Sequence, residues 1–213
     1  MARYTLPDGT PLPSVTEILG NVGWKSYGLM AWAWNLGKQG IGLREERERL
    51  ADAGTLAHDM VESEIKGKKP PPLDGLPPDV IERAQQSFHA FTEWRKTSRF
   101  DLVASEVTLV SERLGYAGQI DCVAHLGGQV AIIDWKSSKA LYPDQIVQLA
   151  GGYAPLWDDA HPDLPVQTCR IVRFPPDGGF AEHHISERSR EAADRAFLAA
   201  KELHAVKRLI KAA

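Results

Sequence analysis

Gly118-Gln-Ile-Asp-Cys-Val-Ala-His-Leu-Gly-Gly-Gln-Val-Ala-Ile-Ile-Asp-Trp-Lys136 holds two apolar runs divided by a pair of glycines. Gly127 and Gly128 read as a two-residue turn joining two strands of a hairpin. Leu126 then faces Gln129, and counting outward sets Asp121 directly opposite Asp134. Cross-strand partners hold their Cβ atoms about 5 Å apart. Lys136, two residues beyond Asp134, points to the same face. Two carboxylates and one ammonium therefore converge on one patch of a sheet, and its apolar flanks predict partial burial. Like charges set opposite each other destabilise a sheet. A divalent cation between them removes the conflict, and magnesium suits a site of one or two carboxylates, water and a substrate phosphate.

Outward from this hairpin the chain reads as alternating helices and strands. Upstream, residues 101–111 form a strand, and Asp79–Ser98 carries Ile81, Ala84, Phe88 and Phe91 on one helical stripe. Lys66–Pro78 is a proline-rich loop. Leu43–Lys66 is a charged helix with Leu50, Ala57, Val61 and Ile65 on its apolar stripe, and His58 and Glu62 share a face. Tyr4–Leu6 and the Pro7-Asp8-Gly9 turn suggest a short hairpin, and Ser14 with Glu17 makes a capping box. Residues 21–43 hold Trp24, Lys25, Trp32, Trp34 and Lys38. Two readings stand: an irregular helical cap whose tryptophans pack on the core, or an aromatic, basic surface that stacks on unpaired bases. Downstream, Pro143–Trp157 is a helix begun by proline at N1. Val166–Phe174 is a strand, Pro175–Gly179 a turn into a second strand ending near Ile185, and residues 186–213 a helix. The central strands are apolar on both faces, which implies helices on both sides of a mixed sheet.

At 213 residues the chain suits one domain, with residues 1–45 as an extension, 46–185 as the core and 186–213 as a closing helix. The formal charge of −3 gives no global attraction to nucleic acid, so DNA contacts must be local. Cys122 and Cys169 sit in apolar runs and read as core residues in a reducing compartment. Two cysteines cannot ligate a four-cysteine iron–sulfur cluster. No run approaches the ~20 apolar residues of a membrane span, and the N-terminus lacks the layout of a signal peptide. Together these suggest a cytoplasmic protein. No Gly-x-x-x-x-Gly-Lys-Ser/Thr phosphate loop is present, so no nucleotide cofactor is expected.

The pattern Gly118-x-Ile120-Asp121, then Asp134-Trp135-Lys136, resembles the RecB-like exonuclease branch of the PD-(D/E)xK nuclease superfamily. Glu106 on the preceding strand, His58 within Gly54-Thr-Leu-Ala-His58, and Gln148-Leu149 extend the resemblance to roughly residues 50–175. The family pattern Gln-x-x-x-Tyr puts Gly152 where a tyrosine is usual, and Tyr153 falls one position later, outside the carry-over. The resemblance implies an α/β restriction-endonuclease-like core of order αβββαβ, with a helical N-terminal extension. It implies catalytic roles for Asp121, Asp134, Lys136 and Gln148. His58, Asp121, Asp134, the Trp135 backbone carbonyl and Glu106 become metal ligands, and a nitrogen among oxygens makes Mn²⁺ as suitable as Mg²⁺. Duller roles stay open from the residues alone: a salt bridge for Lys136, an edge-strand charge for Glu106, a capping role for Gln145 and Gln148. The expected substrate is linear DNA, single- or double-stranded. A helicase or single-strand annealing partner fits a phage or bacterial setting, with no membrane partner. A structure-selective endonuclease and a non-cleaving DNA-binding module are the rivals.

Overall fold

The computed structural model describes residues 3–24, 26–175 and 178–212. Lys25, and residues 176 and 177 of the expected turn, lie outside the described residues. The expected N-terminal hairpin pairs β1 (Tyr4–Thr5) with β2 (Pro11–Leu12), and the Asp8 carboxylate accepts from the Thr10 N–H at 2.9 Å to tighten the turn. Ser14 and Glu17 close the capping box of α1 (Val15–Leu19). Three helices follow: α2 (Ser26–Lys38), α3 (Leu43–Ile65) and α4 (Pro78–Thr97). The buried stripe of α3 runs through Ala53, Leu56, Ala57, Met60 and Val61. Leu50, expected on that stripe, is exposed instead. The turn before it is tied to the start of α4 by the Arg49–Asp79 ion pair rather than by apolar packing.

The sheet has the order β3-β4-β5-β6-β7, comprising β3 (Phe100–Ser111), β4 (Tyr116–Leu126), β5 (Gln129–Lys136), β6 (Thr168–Arg173) and β7 (Ala181–Ile185). All neighbours are antiparallel except β5 and β6. Gly127 and Gly128 both have positive φ, as a type I′ turn requires, and Leu126 faces Gln129. Helices cover both faces, as the doubly apolar strands predict. Val130 and Ile132 pack with Val15 of α1 and Phe197 of α7 (Glu187–Ala212). On the other face, Ala131, Ile133 and Trp135 pack with Phe91 and Trp94 of α4. From α4 onward the order is αβββαβ, the restriction-endonuclease-like α/β core.

The expected single helix from Pro143 to Trp157 is instead three pieces: α5 (Pro143–Ile146), a π-helical segment (Val147–Tyr153) and α6 (Ala154–Ala160). Pro155 supplies the cause. It has no N–H to give the Gly151 carbonyl one α-turn back, and its ring would strike that carbonyl. The helix widens, and the Ala154 N–H reaches the Leu149 carbonyl instead. The Gly152 carbonyl accepts from the Tyr116 hydroxyl at 3.0 Å.

Candidate active site

The pairing of β4 with β5 ends at Cys122 and Ile133. Beyond that point β4 continues with β3, and β5 continues with β6 as far as Lys136. Asp121 and Asp134 are the next pair in register, so they stand at the fork where the two strands part. Alternation along β4 breaks here, because Ile120 packs in one core and Cys122, two residues on, in the other. Glu106 lies across from Asp121 on β3 and holds φ at +51°, a left-handed conformation uncommon for glutamate. Strain of this kind persists where the surroundings enforce it, and it gathers at functional sites.

Trp135 fixes the aim of its neighbours. Its ring lies 5.5 Å from Phe91 and 5.3 Å from Trp94, centroid to centroid, within the α4 face of the core. Strand alternation therefore turns Asp134 and Lys136 to the opposite face. The Trp135 N–H donates to Asp121 Oδ2 at 3.1 Å, fixing that carboxylate across the fork.

His58 reaches the fork from α3. Its Nδ1 is 3.8 Å from both Glu106 Oε1 and Asp121 Oδ2. One ligand atom from each of His58, Glu106 and Asp121 falls within 4.8 Å of the others. These separations exceed hydrogen bonds and leave room for an ion among a nitrogen and two oxygens, a donor set suited to manganese or magnesium. Asp134 stands behind this triad. It is buried, and its Oδ2 lies 2.6 Å from Lys136 Nζ in an ion pair whose angles fall outside a hydrogen bond.

Electrostatics at the fork are strongly perturbed. Burial alone would lower the pKa of His58, but the adjoining Glu106 carboxylate and the charge of Asp121 outweigh it and raise the value to about 9. The imidazolium thus holds positive charge where the two carboxylates converge. Burial pushes Asp134 up to about 6 against the pull of Lys136. For Lys136, burial is outweighed by Asp134 and Asp121, which raise its pKa and keep the ammonium charged.

Gln148 comes from the other helix layer. Its Nε2 donates to the Tyr153 hydroxyl at 2.9 Å. The π-helical widening makes this possible, since residues five apart diverge on an α-helix but lie over each other when bonding runs i to i+5. Tyr153 is thereby returned to the site, lining a cleft with Asp121, Glu106 and Arg3. Gly118 permits it, because a Cβ there would lie 2.7 Å from the tyrosine ring. Pro155 after the Gly151-Gly152 pair was the sequence signal for this arrangement. A second unanticipated group is Gln119. It accepts from Arg3 at 2.8 Å and donates to Glu106 Oε2 at 2.7 Å, holding that carboxylate toward His58.

Three other polar side chains make local contacts. Gln145 is buried and caps the Tyr142 N–H at 3.0 Å. Glu62 pairs with Lys66. His183 accepts from Arg173 at 3.0 Å.

No protein-family model matches the chain. Over 90 residues it is 33% identical to mitochondrial genome maintenance exonuclease 1 of Mus musculus, a stretch covering 39% of this chain. The chain spans 27% of the length of that relative. Among solved structures it is similar to a candidate exonuclease of Eubacterium rectale, with a TM-score of 0.42 and 12% identity over 71% of this chain and 68% of the other. It is also similar to an alkaline exonuclease of Laribacter hongkongensis, with a TM-score of 0.34 and 14% identity over 78% of this chain and 92% of the other.

Proposed function

We propose that the chain is a metal-dependent deoxyribonuclease of exonuclease type, hydrolysing phosphodiester bonds at the fork between β4 and β5. The PD-(D/E)xK pattern, the αβββαβ core and the likeness to the mouse exonuclease fit one superfamily. The observation that carries the reading is the convergence of His58, Glu106 and Asp121 beside the buried Asp134–Lys136 pair.

His58, Glu106 and Asp121 would hold a divalent ion, Mg²⁺ or Mn²⁺, with Asp134 and the Trp135 carbonyl completing its surroundings. Such an ion supplies an activated water and neutralises charge on the phosphate and the leaving oxygen. The protein's own groups do the rest. Lys136, kept charged and aimed by Asp134, donates to the attacking water or to a non-bridging phosphate oxygen as negative charge grows there. Gln119 and the Trp135 N–H fix Glu106 and Asp121, so the carboxylates need not reorganise during reaction. Gln148 and Tyr153 wall the other side and offer hydrogen bonds to the DNA backbone. The RecB-like type rests on the residue pattern of the resemblance. So do a helicase or single-strand annealing partner and a role in recombination or repair of phage or bacterial DNA in the cytoplasm. No helix among the described residues is long and apolar enough to cross a membrane.

The test is a digest of end-labelled linear and circular single-stranded DNA with Mn²⁺, Mg²⁺ or EDTA. Metal-dependent loss of linear DNA with intact circles is expected. Cleaved circles would reassign the protein to the endonucleases, and intact DNA throughout would leave the non-cleaving module.

A further inference from the structure

The segment before the nuclease core meets it in two ways. Among its described residues α2 buries Leu36 alone and leaves Trp34 exposed. The β1–β2 hairpin, by contrast, is docked on the sheet. Tyr4 is buried, the Ala117 N–H donates to the Pro13 carbonyl at 3.0 Å, and Ser14 forms a parallel bridge with Ala117. This docking sets Arg3 at the cleft lined by Glu106, Gln119 and Asp121. The Arg3 guanidinium lies 5.3 Å from the centre of the Tyr4 ring, a contact that helps to order a cation. Its Nη2 donates to Gln119 Oε1 at 2.8 Å, and Gln119 Nε2 donates to Glu106 Oε2 at 2.7 Å. The other oxygen of that carboxylate, Oε1, is the one 3.8 Å from His58 Nδ1.

We infer that Arg3 is a positioning residue for the metal site, acting through the Gln119 amide on Glu106. Donor and acceptor types dictate the order. An arginine side chain offers only donors and a carboxylate only acceptors. An amide placed between them satisfies both in one orientation alone, oxygen toward Arg3 and nitrogen toward Glu106. That orientation occupies Oε2 of Glu106 and leaves Oε1 as the ligand atom. Glu106 needs such outside support, because its left-handed backbone, with φ at +51°, removes it from the strand geometry that aims its neighbours. Without Arg3 the glutamine keeps its attraction to the carboxylate but loses the anchor at its far side, and a long side chain regains rotamer freedom. Groups that orient a ligand govern metal affinity alongside the ligand itself. The sign of the effect separates this role from charge alone. A cation beside a metal site repels the ion, so charge alone predicts tighter Mn²⁺ binding once Arg3 is removed. Positioning predicts weaker binding.

The inference rests on the metal reading of the fork, and a signal read in EDTA separates the two. The proteins compared are the parent chain, Arg3→Ala, Arg3→Lys, Gln119→Ala and the double variant Arg3→Ala with Gln119→Ala. Bound Mn²⁺ is counted by electron paramagnetic resonance. Arg3→Ala should weaken binding roughly three- to tenfold, at or below the lower end of the cost of losing a group that orients a ligand. Arg3→Lys keeps a donor and should recover much of that loss, which separates a lost contact from a lost fold. In the Gln119→Ala background, Arg3→Ala should cause no further loss, because the two residues act in series. The EDTA signal is the solvent exchange of the Gln119 side-chain amide by nuclear magnetic resonance, identified by its absence from Gln119→Ala. Exchange should be slow in the parent and faster in Arg3→Ala. Unchanged or tighter Mn²⁺ binding in Arg3→Ala would overturn the inference. So would an equal loss with Gln119 already removed, or a Gln119 amide indifferent to Arg3. A parent that binds no Mn²⁺, but whose Gln119 amide depends on Arg3, would remove the metal reading and leave Arg3 as the residue that positions Glu106.

Discussion

His58 is the residue at which charge, metal and stability meet. Its folded pKa, about 9, lies above its ordinary value of 6.5. The carboxylates that raise it therefore stabilise the metal-free fold fully below pH 6.5, and that contribution is lost as pH rises through 9. The thermal midpoint of the metal-free protein should fall between pH 7 and 9, and His58→Gln should flatten that fall. An equal fall in both proteins would place the titrating group elsewhere. A proton on His58 also competes with metal, so affinity for Mn²⁺ should climb through the same window. Lys136 contributes to rate rather than to ground-state binding. Lys136→Ala should slow single-turnover cleavage by roughly 10²-fold or more, the scale of one lost transition-state contact. DNA affinity should barely change, since one cation among many phosphate contacts adds little. Weakened binding with an unaltered rate would reassign Lys136 to anchoring the strand. Asp121, Asp134 and Lys136 were legible because a two-glycine turn leaves little choice of register. Glu106 was reached through the family resemblance and not through register, since its aim depends on a left-handed backbone and on Gln119, and neither has a periodic signal.

At the scale of elements, the three strands of the meander were readable from alternation and turns, and β3 spans Phe100–Ser111 against an expected 101–111. The helix after Lys136 was not, because hydrophobic periodicity carries no mark of a π-turn. Its cause is local, in Pro155, and its accommodation is tertiary. A Cβ at Gly151 would run into the Ala193 carbonyl of α7, and one at Gly152 would come within 2.6 Å of Val15. The glycine pair lets the widened helix lie against α7 and α1. Gly151→Ala should cost about 1–3 kcal/mol, the range for overpacking, read from the urea midpoint. Gly54→Ala, in the interior of α3 with open space around it, should instead be neutral or stabilise by about 0.5–1 kcal/mol. If both substitutions behaved alike, the close approach at Gly151 would not be what holds the π-segment in place.

For the whole molecule, the fork lies where β5 parts from β4. The strand pairs with both neighbours over Ala131–Ile133, then follows β6 alone through Asp134 to Lys136. The gap so opened admits His58 from one helix layer and Gln148 with Tyr153 from the other. The sequence carried the layers and the order, since strands apolar on both faces demand helices on both sides. It did not carry the exposure of α2, whose glycines and tryptophans fit a buried cap as well as an open wall. The central claim is that metal held at this fork drives hydrolysis, and Asp121 is its pivot. The decisive measurement titrates Mn²⁺ at pH 8 into the parent and Asp121→Ala. Bound ion is counted by electron paramagnetic resonance, and cleavage of linear single-stranded DNA is followed in the same samples. In the parent, cleavage should rise with occupancy, while Asp121→Ala should lose both and keep the parent's circular dichroism. Cleavage by Asp121→Ala at the parent's rate, or by the parent in EDTA, would contradict the account.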